Sequence, residues 1–177
     1  MRALLAGSLL VACSGGGAPP EDPTGDTGAV DTSVPCYPHG DPTLEVGEGG
    51  EGWGIDGVAI ETGIPPQGGA PYARFRVRVA NLDLHEGADV RVDLFTAGSD
   101  MQLGTVAVAA GFVCANVGEN ADHWVTPEVH VRFDGADLLD LHEVPVDIEA
   151  SVVGVEGSVA RSGDGVLMVD ERYLQVR

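Results

Sequence analysis

Three arginines spaced two apart, Arg74, Arg76 and Arg78, form the densest cationic feature of the chain. At that spacing they share one face of a strand, where rigid guanidinium forks suit a carboxylate, a phosphate or an acidic glycan. The plainer reading is a solvated sheet face with charge partners on the neighbouring strand. Carboxylates are more abundant. Asp134, Asp137 and Asp140 crowd one predicted loop with Glu143, and Asn120 and Asp122 stand in a second. Ca²⁺ takes about six to eight oxygen ligands, so the first loop is the candidate calcium site. Neither loop has EF-hand spacing, and an acidic surface that keeps the protein soluble is the plainer explanation. Trp53 and Trp124 are candidates to line a ligand groove, against the alternative of ordinary packing. No paired nucleophile and base, metalloprotease helix or phosphate-binding loop is visible. No catalytic residue is therefore assigned, the chain is expected not to be an enzyme, and no cofactor beyond calcium is implied.

These side chains belong to 177 residues carrying 28 acidic and 9 basic groups, a net charge of -19. Every basic residue is arginine. Such a field repels polyanions, so nucleic acid is excluded as a partner. The length suits one domain, and 26 glycines and 11 prolines predict many turns between short elements.

The N-terminus reads Met1-Arg2, an apolar run from Ala3 to Ala12, then Cys13. A positive start, a short apolar stretch and small residues before the cut make an export signal, too short to span a bilayer. Leu10-Val11-Ala12-Cys13 resembles the lipobox of bacterial lipoproteins, which implies that residues 1–12 are removed and Cys13 is lipidated. Ser14 after that cysteine favours the outer membrane of a Gram-negative cell. From Ser14 to Val34 the chain holds eight Gly or Pro and four acids, with no aromatic residue. Residues 13–34 thus read as lipidated cysteine plus disordered tether, about 25 Å in reach. A domain follows from 35 to 177.

Two cysteines remain, Cys36 and Cys114. In an exported protein they are most simply a disulfide. The alternative makes Cys36 and His39 half of a zinc or copper site, completed by Cys114 with His123 or His130.

Strict alternation predicts strands at Tyr72 to Leu82 and Asp89 to Phe95, joined as a hairpin in which Asp89 and Asp93 face the arginine stripe. Further strands are predicted at Thr43 to Val46, Val58 to Glu61, Gly104 to Ala110, Glu128 to Phe133, Val144 to Val153, Ser158 to Arg161 and Val166 to Val176, the last with an irregularity near Asp170-Glu171-Arg172. The last two are expected to flank a turn at Arg161-Ser162-Gly163-Asp164-Gly165-Val166. Asp137 to His142 reads as one helical turn or a loop. About seven to nine strands of this kind predict an all-β chain, a single antiparallel Ig-like β-sandwich.

Gly63-Ile64-Pro65-Pro66-Gln67-Gly68-Gly69, followed by the strand from Arg74 to Val79 and then Asn81-Leu82-Asp83, resembles a group of outer-membrane lipoproteins from myxobacteria and related bacteria. Leu44-Glu45-Val46-Gly47-Glu48-Gly49-Gly50 fits the opening of their pattern. The resemblance covers residues 43 to 95 with the lipobox and tether. Where that group carries an aromatic residue and a histidine after the two glycines, this chain has Ala70-Pro71-Tyr72, and no activity transfers. Gly68 and Gly69 are expected to permit a tight turn, and Gln67 to bond backbone groups.

The expectation for function is a lipid-anchored envelope protein presenting a non-catalytic interaction or structural module to an unknown protein or glycan partner. The alternative is a small-ligand or carbohydrate-binding accessory domain that uses Trp53, Trp124 or the face of Arg74, Arg76 and Arg78.

Overall fold

A computed structural model describes residues 36–48, 52–54, 56–116 and 118–175. The signal segment, Cys13 and the tether lie outside these described residues. The chain forms β1 (Thr43–Glu48), β2 (Val58–Gly63), β3 (Tyr72–Ala80), β4 (Ala88–Thr96), β5 (Gln102–Ala110), β6 (Val113–Ala115), β7 (His123–Val125), β8 (Val129–Arg132), β9 (Val144–Val153), β10 (Ser158–Val169) and the one-turn helix α1 (Glu171–Leu174). Short 3-10 turns occupy Gly118–Asn120 and Leu138–Leu141. Among the described residues, no helix is long and apolar enough to cross a membrane.

The all-β expectation holds, but the sandwich does not. Seven strands close into a barrel in the order β2, β10, β9, β4, β5, β8, β3 and back to β2. An odd ring cannot alternate direction all the way round, so one neighbouring pair must run parallel. That pair is β10 with β2, aligned from Gly165 with Val58 to Val169 with Thr62. The predicted turn at residues 161–166 is absent, because β10 runs straight through it against β9. Gly165 serves closure instead. A Cβ there would stand 2.8 Å from Ile60 Cδ1 and 2.9 Å from the Val58 carbonyl, so only glycine lets the two strands meet. Gly104 does the same at the β5–β8 seam, where a Cβ would lie 2.8 Å from the Arg132 carbonyl.

The predicted hairpin of β3 with β4 is also corrected. Two strands separate them in the ring, and the chain crosses the barrel end between them, bending at Asn81 (φ 60) and Gly87 (φ 83). Asn81 tolerates the left-handed region and uses its amide to accept from His39 N at 3.2 Å and donate to the Asp41 carbonyl at 3.0 Å. Asp93 consequently meets Arg91 of its own strand rather than the β3 arginines.

Alternation along β3 turns Ala73, Phe75, Val77 and Val79 inward, all buried. They meet Ile60, Val92, Leu94, Phe133, Ile148 and Leu167 in an apolar interior. The far half of β3 carries an annex, with β1 on one edge and β7, then β6, on the other. A disulfide between Cys36 and Cys114, with Cα atoms 5.9 Å apart, ties the start of the described chain to that annex.

Candidate functional site

The outward residues of β3 are Tyr72, Arg74, Arg76 and Arg78, and each finds a different environment. Arg78 pairs with Glu45 and donates to the Glu119 carbonyl at 2.8 Å and to Asn120 Oδ1 at 3.1 Å. Arg74 lies 3.5 Å from Glu61. Arg76 and Arg78 stack on Trp53, with their guanidinium carbons 5.2 and 4.6 Å from the ring centroid. Trp53 in turn covers Gly47, where a Cβ would lie 3.1 Å from its ring. Each such contact contributes about 0.5 to 1 kcal/mol at a half-exposed site. Arg74 and Arg78 are thus spent on carboxylates and carbonyls, while Arg76 has the Trp53 face and a buried Nε without a hydrogen-bond partner among the described residues, so the stripe does not form one open anion cradle. The carboxylates came from β1 and β2, the carbonyl and amide from the Gly118–Asn120 turn and the indole from the segment between β1 and β2, none of which the sequence could place beside β3.

Trp124 is 4% exposed in β7, with His85 edge-on at 4.6 Å, so it packs rather than lining a groove. Beside it, Asp83 accepts from the backbone N–H and the ring of His85, and these bonds hold its carboxyl below the usual range. Two of the three proposed calcium ligands, Asp134 and Asp137, are otherwise engaged, and Asp140 stands in the same 3-10 turn. Asp137 accepts from Leu139 N at 3.0 Å as the cap of the 3-10 turn, and Asp134 pairs with Arg132 at 3.2 Å. Among the described residues no three His, Cys, Asp or Glu side chains converge as a metal ion would require. The disulfide consumes the thiolates of the zinc or copper alternative. His123 bonds the Ala121 carbonyl instead, and His39 stacks near Tyr37.

One carboxylate is strongly organised. Asp93 is 6% exposed and accepts from Arg91 Nε at 2.5 Å, Thr105 Oγ1 at 2.7 Å and Gln102 Nε2 at 2.8 Å. Burial pushes its pKa up, but the bonds from Arg91, Thr105 and Gln102 outweigh that and hold it below the ordinary value. It is a fixed anion that knits β4 to β5.

A separate concavity lies around the Pro65-Pro66-Gln67-Gly68-Gly69 loop between β2 and β3. Gly68 N donates to the Pro65 carbonyl at 2.8 Å, and Gly68 and Gly69 take φ of 80 and 123, the tight turn expected of them. The loop overhangs Tyr72, His130 and Arg132 to make a cleft of about 380 Å³. In the ladder Tyr72 opposes Arg132 and Arg74 opposes His130, so Tyr72 and His130 are diagonal neighbours, with ring centroids 4.7 Å apart. A second cleft of about 330 Å³ adjoins on the far side of Tyr72 and Pro66, walled by Arg74, Asp170 and Tyr173. Helix α1 places Tyr173 there. Its N-cap Asp170 accepts from Arg172 N at 2.9 Å, and the Arg172 guanidinium lowers the Asp170 pKa to about 2. The Tyr173 hydroxyl donates to the Ile64 carbonyl at 3.2 Å.

No family model and no curated protein matches this chain, so the chemistry of these clefts rests on their own side chains.

Proposed function

We propose that this chain is a non-catalytic recognition module of the cell envelope, held by a lipid on Cys13 and presenting its barrel at the end of the 14–34 tether. The observation that carries this reading is the packed interior. Ile60, Val77, Val92, Val131, Ile148 and Leu167, one each from β2, β3, β4, β8, β9 and β10, are apolar and fully buried at its centre, so whatever the barrel recognises must meet its outer wall. The lipobox-like N-terminus supports the anchor, as does the likeness to outer-membrane lipoproteins.

Cells expressing the full chain and fed an alkyne analogue of palmitate are expected to label it and to hold it in the outer-membrane fraction. Cys13→Ser should lose the label and leave that fraction. Persistent labelling of the variant would refute the anchor. Turnover of a substrate that survives purification and vanishes on one carboxylate substitution would refute the non-catalytic reading.

A further inference from the structure

The geometry points to the paired clefts around Tyr72 as a binding site for an uncharged oligosaccharide, which rests on the recognition reading above and names its ligand class. The floor is aromatic. Tyr72 projects outward from β3, with the His130 ring 4.7 Å away and Tyr173 on the opposite side of the loop. A sugar ring offers one apolar C–H face and a rim of hydroxyls, so it needs an aromatic platform bordered by groups that both donate and accept. That border is present. Gln67 brings an amide, His130 a half-exposed imidazole and Arg132 a guanidinium, all on the cleft under the loop.

Charge decides between ligand classes. Each cation at the clefts has its own carboxylate: Arg74 with Glu61 at 3.5 Å, Arg132 with Asp134 at 3.2 Å, and Arg172 with Asp170. His130 lies 3.7 Å from Glu128. An acidic glycan would have to displace these carboxylates against a net charge of -19, and a cation would have to displace the arginines. A neutral polyol disturbs neither set. The loop also has preset shape, since Pro65 and Pro66 fix φ and the 2.8 Å bond from Gly68 N closes the turn, so little ordering is required on binding. A polyproline peptide is the competing occupant of an aromatic groove. It is disfavoured because prolines have no N–H to donate, whereas the cleft's amide and imidazole can both donate to and accept from a polyol's hydroxyls.

The test is calorimetric titration of the full-length chain with cellohexaose, maltohexaose, laminarihexaose and chitohexaose, with hexagalacturonate and a proline decapeptide as charged and peptide controls. At least one neutral hexasaccharide is expected to bind at micromolar to millimolar concentration, and hexagalacturonate at least about tenfold more weakly. Tyr72→Ala is expected to weaken binding by about tenfold or more. His130→Ala and Gln67→Ala, on exposed positions outside the core, should also weaken it while the thermal midpoint stays put, which covers the case in which Tyr72→Ala fails to fold. Absence of neutral-saccharide binding at millimolar concentration, binding indifferent to all three substitutions, or preference for hexagalacturonate would overturn the assignment. Tighter binding of the proline decapeptide, lost in the same variants, would also overturn the saccharide while leaving the recognition reading intact.

Discussion

Replacing Cys36 and Cys114 together by serine is expected to lower the stability of the chain by about 4 to 5 kcal/mol. The bond closes a loop of 78 residues, and in the chain-entropy account a long loop confers much of its stabilisation by restricting the unfolded ensemble. Cys36 is 3% exposed, and the chain enters the fold there with a left-handed φ of 60. Cys114 pairs in the ladder with Trp124, so the crosslink also fixes the short β6 and β7 strands against β3. A domain of this size has about 5 to 15 kcal/mol in total, so the double variant should unfold at much lower urea with an altered slope, because the unfolded chain is less compact. A loss below about 1 kcal/mol would mean that the Asn81 clamp on His39 and Asp41 holds the entering segment by itself.

Phe133→Ala is expected to cost about 3 to 5 kcal/mol, the range for removing a buried aromatic side chain. Phe133 is 0% exposed, the largest of the fully buried side chains, and its backbone N–H donates to the Pro71 carbonyl at 2.9 Å. Its ring lies against the space that the missing side chain of Gly104 leaves, where a Cβ would be 3.2 Å from Phe133 Cδ1. Truncation therefore opens a void at the seam where β5 reaches β8. The wall there cannot collapse inward without breaking the Thr105–Arg132 pairing, so the cavity term should be retained. Urea unfolding at unchanged slope would read the loss directly. A cost under about 1 kcal/mol would show that the interior repacks freely.

Strand positions were legible wherever one face is buried and the other wet. β3, β4 and β9 alternate cleanly, and the sequence places them within a residue or two. β6 and β7 have three residues each and show no period to detect. Pairing was not legible, since alternation says which residues face inward but not which strand lies alongside. Gly165 was the sharpest ambiguity. Glycine marks a turn and a close approach equally well, and here close approach won. That one substitution of meaning joins two predicted strands into β10, brings it to β2 and turns an expected sandwich into a barrel. The disulfide was legible from the cysteine count and an export-like N-terminus. The Tyr72 clefts were not, because His130 and Arg132 reach Tyr72 only through the β3–β8 pairing, and Tyr173 only through α1. The rigid Pro65 to Gly69 loop ending beside an outward tyrosine was the available signal.

Closure of the ring fills the interior with mainly apolar side chains and leaves the outer wall as the surface open to a partner. Cross-strand NOEs in the full-length chain test it at the parallel seam. A closed ring gives backbone contacts from Gly165 and Leu167 to Val58 and Ile60, together with Thr62 to Ala73, and slow amide exchange along β2. Absence of the β10–β2 contacts, with β2 amides exchanging as a free edge, would leave an open sheet and contradict it.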